Sequence, residues 1–243
     1  MKETVLQKQE LPPRIDKKEE LYHKSNKFFN AIVAVILTVI IIFATTYIII
    51  FSVYSRVYID GASMYPTLNN FTNSAYREFG LMNTHRSNFK RGDIIVFDRS
   101  LDGSGDYLVK RVIGLPKETI KITDGGSVGT PDYIEITSNS ATFILDEPYL
   151  TNSAKNNTFA GPFATYSELT LQDNQYFLLG DNRANSQDSR MIGPIKKDQI
   201  TGKLMVLYGY AEGVVSQEDG NGQVSNDLLN KHYYPMWDMR FFL

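Results

Sequence analysis

The stretch Tyr107–Pro116, YLVKRVIGLP, decides the fold. Val109, Val112 and Ile113 are β-branched and crowded together, and Gly114 and Pro116 end the run, which is the composition of a short strand. Lys110 and Arg111 interrupt it, and because strand side chains alternate they face opposite ways. A lysine on an apolar sheet face is costly unless it is neutral or paired. On an edge strand facing solvent it is an ordinary device against aggregation. The stretch by itself favours the second reading, a lysine on an edge strand facing solvent.

Similar runs lie on either side: DIIVFDR (93–99), TIKIT (119–123), YIEIT (133–137), YFLLG (176–180) and KLMVLYGY (203–210). Clusters of Gly, Pro, Asn and Asp separate them, and this spacing predicts a mostly β, antiparallel domain over 54–243 with few or short helices. The stretches 99–106, 151–162 and 216–231 read as surface loops.

Upstream, residues 28–53 read FFNAIVAVILTVIIIFATTYIIIFSV, without Asp, Glu, Lys or Arg. At 1.5 Å per residue that segment spans a bilayer core of about 30 Å. It has no polar stripe, so it reads as a transmembrane helix rather than a buried core helix. The charged tail before it and the lack of a small-x-small site after it favour an uncleaved anchor over a signal peptide. Arg14, Lys17, Lys18, Lys24 and Lys27 precede the span, and only Arg56 follows it closely. This asymmetry predicts a single-pass cell-membrane protein with a cytoplasmic tail (1–27) and everything after Val53 outside the cell.

The chain has 243 residues, 42 % of them hydrophobic, enough for a core, and a formal charge of −2. That charge gives no field for nucleic-acid phosphates, so no nucleic-acid partner is expected. Without cysteine there is no disulfide and no thiolate chemistry. The three histidines are scattered and the acidic residues lack calcium-loop spacing, so no metal and no cofactor are expected.

GASMYPTL (61–68) places a serine among small residues just beyond the apolar helix. A serine nucleophile needs a base and donors for the oxyanion. His23 lies on the wrong side of the membrane by the topology argument, and His85 and His232 have no obvious orienting acid. Lysine can serve only if burial lowers its pKa well below about 10.4, and Lys110 is a candidate. The polar run GDNRANSQDSR (180–190) follows an apolar strand. A turn in which Asp and Asn bond their own backbone explains Gly180, Asp181 and Asn182. It leaves Ser186, Asp188, Ser189 and Arg190 without a reason.

In order, SMYPTL (63–68), GDIIVF (92–97), YLVKRVIGLP (107–116), EPYL (147–150) and YFLLGDNRANSQDSR (176–190), followed by GKLMVLY (202–208), resemble the bacterial type I signal peptidases of the Ser-Lys kind, Gram-positive-like in form. The last long motif is the most specific. The resemblance implies a membrane-anchored serine endopeptidase that cuts signal peptides from exported preproteins after small-x-small motifs. Ser63 would be the nucleophile and neutral Lys110 the general base, with Ser186 hydrogen-bonded to the lysine amine. Asp188 and Arg190 would form an ion pair behind the site, with Arg111 near it. Ile59, Met64, Leu68, Leu108 and Val109 match positions lining shallow pockets for small side chains, and the substrate would add as an extended strand.

Gly61 stands where some members of that family carry a serine that helps bind the oxyanion, so the oxyanion hole would rest mainly on backbone N–H groups, including that of Ser63. Lys117-Glu118 stands where Gly-Asp is common, which bears on the turn type. The stretch 210–232 reads as an insertion without a mechanistic role. The aromatic residues Tyr54, Tyr58, Tyr233, Tyr234, Trp237, Phe241 and Phe242 suit either the membrane interface or the core. A relative specialised for one client class such as pilus subunits, and a non-catalytic assembly factor, are the alternative functions. Intact Ser63, Lys110 and Ser186 argue against the second. A self-cleaving, DNA-bound Ser-Lys regulator is disfavoured by the anchor and by the lack of a DNA-binding half.

Overall fold

In the computed structural model, residues 17–70, 76–85, 87–100, 105–126, 130–159, 168–218 and 224–242 are described. The chain divides into two units, Met1–Ser52 and Val53–Leu243.

The first unit is a helix, α1 (Lys17–Val53), whose part from Lys24 is long and apolar enough to cross a membrane. It starts earlier than the apolar run: residues 17–27 of the expected tail are helical. Lys, Glu and Leu in that stretch are good helix formers, and extending an existing helix is far easier than nucleating one. Within the apolar part, Thr38 Oγ1 donates to the Ala34 carbonyl (2.8 Å) and Thr45 Oγ1 to that of Ile41 (2.9 Å). These two hydroxyls are thus satisfied inside the helix, as a hydrocarbon environment would require.

The second unit is mostly antiparallel sheet. Its strands are β1 (Tyr54–Ile59), β2 (Tyr76–Asn83), β3 (Ile94–Asp98), β4 (Tyr107–Gly114), β5 (Thr119–Thr123), β6 (Tyr133–Ser138), β7 (Ala141–Ile144), β8 (Glu168–Thr170), β9 (Gln175–Leu179), β10 (Ile195–Lys196), β11 (Ile200–Glu218), β12 (Val224–Tyr233) and β13 (Arg240–Phe241). The larger sheet runs β1-β2-β11-β3-β4-β9-β10, with β12 and β13 also paired to β11; the smaller runs β7-β6-β5-β8. Two one-turn helices, α2 (Asn152–Lys155) and α3 (Ser189–Ile192), complete it.

The runs read as strands are strands. β3 is buried on both faces, which is why DIIVFD shows no alternation: Ile94 and Val96 join a cluster with Val57, Ile59, Met64, Leu68, Leu204 and Leu207, whereas Ile95 and Phe97 pack with Val112, Tyr176 and Leu178. Ile113, Phe177 and Leu179 meet Ile120, Ile122, Ile134 and Ile136 of the smaller sheet. Each such side chain contributes roughly 1.5–3 kcal/mol by leaving water.

The expected loop over 216–231 is a correction. β11 extends to Glu218, and β12 returns along it from Glu218↔Val224 to Gly209↔Tyr233. The polar sequence there carries no apolar alternation, and backbone pairing forms the hairpin instead; residues 219–223 lie outside the described residues. The expected loop at 151–162 contains α2, capped by Thr151 Oγ1, which accepts from the Ala154 N–H at 3.1 Å. The 99–106 loop is closed by a bond from the Arg99 N–H to the Asp106 carbonyl (2.9 Å), and its residues 101–104 lie outside the described residues.

Candidate active site

Ser63 sits in a tight turn between β1 and β2, where the Tyr65 N–H bonds the Ala62 carbonyl (3.1 Å) and the Leu68 N–H bonds that of Met64 (3.0 Å). Met64 and Leu68 drop into the core and are 2 % and 0 % exposed, leaving Ser63 partly exposed above them. Two bonds from Asn182 fix the start of the turn: its N–H donates to the Ser63 carbonyl and its Nδ2 to the Ala62 carbonyl, both at 3.0 Å. Gly180 lets these backbones approach, since a Cβ there would meet Ser186 Oγ and stand 2.5 Å from the Ser63 carbonyl oxygen.

Lys110 enters from β4. Its Nζ lies 2.7 Å from Ser63 Oγ and 2.9 Å from the Val109 carbonyl, and the residue is 1 % exposed. The edge-lysine reading is therefore excluded. Desolvation lowers the ammonium pKa to about 8, although the charges of Asp188 and Asp181 pull the other way. A hydroxyl and a readily neutralised amine in contact can exchange a proton near neutral pH. His85 and His232 have other surroundings: the first lies 3.3 Å from Thr84 Oγ1, and the second stacks on Tyr210 at 4.9 Å between ring centroids.

Ser186 differs from the expectation. Its Oγ is buried but has no hydrogen-bond partner among the described residues, and the Lys110 amine is bonded to Ser63 and Val109 instead. Asp188 and Arg190 do pair: Nε donates to Oδ1 and Nη2 to Oδ2, each at 2.9 Å, and Asp188 also accepts from the Gly180 N–H (3.0 Å). Alternation along β4 sends Arg111 elsewhere. Its partner is Asp181, with Nε–Oδ1 2.8 Å and Nη2–Oδ2 2.6 Å, while its Nη1 donates to the Gly92 carbonyl at 3.0 Å.

Asp181 is thus more than a turn residue. It is wholly buried, and its second oxygen also accepts from Thr67 Oγ1 of the serine turn. The EPYL motif finds its place here as well. The Arg111 guanidinium lies 3.9 Å from the Tyr149 ring centroid, Tyr149 donates to Glu147 (2.6 Å), and Glu147 pairs with fully buried Arg183. Arg183 in turn donates to Thr158 Oγ1 (2.7 Å). Burial pushes the Tyr149 hydroxyl pKa up, so it remains a donor. Asp181, Asn182, Glu147, Tyr149 and Arg183 carry no site role in the sequence reading. The signals for them are their place in the motifs EPYL (147–150) and YFLLGDNRANSQDSR (176–190) and the density of polar residues in the second of these.

The expected pocket residues divide. Ile59, Met64 and Leu68 form one cluster with Val109 packed against it, whereas Leu108 packs on the other cluster with Phe97 and Val112. Adjacent strand residues cannot share a face. Among the aromatic residues, Phe242 packs on the core, while Tyr58, Tyr233, Trp237 and Phe241 are exposed.

The Signal peptidase, peptidase S26 family model matches residues 31–209. Signal peptidase I S of Bacillus subtilis (strain 168) is 36 % identical over 163 residues, covering 63 % of this chain and 77 % of that protein. Signal peptidase I of Bacillus licheniformis is 30 % identical over 197 residues, covering 78 % and 93 %. The crystal structure of a signal peptidase I from Enterococcus faecalis V583 aligns with a TM-score of 0.34 at 32 % identity, covering 48 % of this chain and 97 % of that one. With a family match over most of its length and a buried lysine against a serine in the turn after β1, the chain belongs to the signal peptidases of family S26.

Proposed function

We propose that this signal-peptide-cleaving peptidase works by a Ser63–Lys110 dyad and cuts membrane-held preproteins after small-x-small motifs. The observation that carries the reading is the 2.7 Å contact between a buried lysine amine and the serine hydroxyl. Neutral Lys110 takes the Ser63 proton as Oγ attacks the scissile carbonyl. Backbone N–H groups at the turn, including that of Ser63, receive the oxyanion. The resulting ammonium gives its proton to the leaving amine, and the acyl-enzyme is then hydrolysed by a water that Lys110 deprotonates. Asp188–Arg190 and Asp181–Arg111 hold the frame behind the dyad.

The sheet supports strand addition by the substrate. β4 pairs with β3 over Tyr107–Arg111, but its pairing with β9 begins only at Arg111, so Leu108–Lys110 keep one edge unpaired among the described strands. An extended peptide laid there would gain backbone hydrogen bonds, and Ile59, Met64, Leu68 and Val109, which cluster together, would line the pockets for small side chains. Helix α1 anchors the enzyme, with the tail cytoplasmic and the β unit outside. A cut just beyond the bilayer is then within reach of a serine just beyond the helix.

The test is cleavage of a purified preprotein by full-length enzyme in detergent, with the new N-terminus sequenced, beside Ser63→Ala and Lys110→Ala. The expected result is a cut after a small-x-small site by the wild type and none by either folded variant. A folded Lys110→Ala that still cuts at a comparable rate overturns the dyad.

A further inference from the structure

The turn carrying Ser63 is held upstream by Asn182 and centrally by Asp181 on Thr67. Its downstream end is held by YYPMWDMRFF (233–242), a segment to which the sequence reading assigns no chemistry. After β12 the chain makes a single 3-10 turn (Met236–Asp238), and β13 then pairs with β11 through Leu207↔Arg240 and Val206↔Phe241. From this anchored position Arg240 reaches across the sheet. Its Nη1 donates to the Thr67 carbonyl at 2.6 Å, and its guanidinium forms an ion pair with Glu78 of β2.

Glu78 is 1 % exposed and makes further contacts. It accepts the Tyr234 hydroxyl at 2.8 Å and the Asn69 N–H at 2.7 Å, and its own N–H donates to Asn69 Oδ1 at 2.8 Å. Asn69 then closes the circuit, because its Nδ2 donates to the carbonyls of Ile59 (2.8 Å) and Gly61 (3.0 Å) on the far side of Ser63. One buried carboxylate, its ion pair with Arg240 and one asparagine therefore tie both ends of the turn to the C-terminal segment. A buried carboxylate that loses its cation must find another or become neutral, and either change shifts the groups it holds.

We propose that Arg240, with Tyr234 and through Glu78 and Asn69, is a positioning residue that keeps Ser63 Oγ in reach of Lys110. The proposal rests on the Ser63–Lys110 reading. Neither Arg240 nor Tyr234 is bonded to Ser63 or Lys110, so each acts through the placement of the serine turn, and the effect is read chiefly in kcat. Displacing a reacting group by about 1 Å costs on the order of 100-fold in rate.

The experiment uses full-length enzyme in detergent and a peptide spanning a preprotein cut site. Wild type, Arg240→Gln, Arg240→Lys, Tyr234→Phe and a control core variant, Ile136→Val in β6, are compared by kcat, KM and Tm. Ser63→Ala and Lys110→Ala run alongside. If either still cleaves, the dyad reading falls, whatever Arg240 does. With the dyad standing, Arg240→Gln is expected to lower kcat about 10- to 100-fold with KM changed less than about threefold. Arg240→Lys should recover part of that loss, because lysine restores the charge but not the two-pronged guanidinium. Tyr234→Phe, which removes one hydroxyl and leaves the ion pair, should lower kcat about three- to tenfold. Ile136→Val should lower Tm with kcat within about twofold of wild type. The proposal is overturned if folded Arg240→Gln keeps wild-type kcat, if its loss lies in KM, or if the control loses kcat equally at the same drop in Tm. Should Arg240→Gln fail to fold, Tyr234→Phe decides by the same criteria.

Discussion

At the scale of single residues, burial makes Lys110 a poor cation. Lys110 is buried, and desolvation brings its pKa to about 8. If its neutral form is the base, kcat/KM for a soluble peptide rises with pH and levels off above about 8; a profile flat from pH 6 to 9 would exclude that role. The same burial has a cost in stability. The folded pKa is lowered, so the unfolded chain binds more protons between about 8 and 10.5, native stability rises over that window, and the full penalty applies below it. Lys110→Met should therefore abolish cleavage yet raise stability at pH 7 by about 1–3 kcal/mol, measured by urea unfolding. Asp181→Ala acts in the opposite sense: it leaves Arg111 buried without its carboxylate and should cost about 3–5 kcal/mol. A loss below about 1 kcal/mol would mean that Arg111 has found another anion.

At the scale of elements, the turn after β4 shows why the departure from Gly-Asp is tolerated. Lys117 has φ +70°, a left-handed conformation in which glycine is free of strain, and its Nζ contact with Asp173 (3.3 Å) is exposed and adds little. Glu118 keeps the acidic function, accepting from Arg91 (2.6 Å) and from the Leu115 N–H (2.8 Å). Lys117→Gly should raise stability by about 1 kcal/mol, visible as a higher Tm. The β11–β12 hairpin makes a second case. Pairing of β2 with β11 ends at Glu212↔Tyr76, so beyond that point the two arms pair only with each other among the described strands. Replacing 213–230 by a tight Asn-Gly turn should leave Tm within about 3 °C, and a larger fall would show that the hairpin packs on the domain.

At the scale of the whole molecule, the proposed function gives the two units separate tasks, location for α1 and cutting for the β unit. Removing residues 1–53 should leave kcat/KM for a soluble peptide within a fewfold of the full-length enzyme. Cleavage of a preprotein held in vesicles should fall about tenfold or more, because anchoring enzyme and substrate in one membrane raises their effective concentration. Equal losses on both substrates would place the helix in the catalytic architecture instead. The legibility of the molecule follows from the same division. An apolar helix and strands buried on one or both faces repeat their apolar residues locally, and these were readable from the chain. β1, β2 and β12 were not, because YSRVYI, YREFGLMN and VSNDLLNKHY mix charge, glycine and apolar residues without a period.

By itself the sequence determined the apolar helix, the antiparallel β character and, through motifs carried within short runs, Ser63 and Lys110 as the residues to examine. Only the tertiary structure decided that Lys110 meets Ser63 across 47 positions of chain, that Asp181 rather than Asp188 takes Arg111, and that Arg240 bonds the serine turn across 173 positions. The physical reason is range. Propensity and periodicity act over a few residues, whereas the partner of a buried charge is whichever opposite group the folded chain leaves beside it in a medium without water.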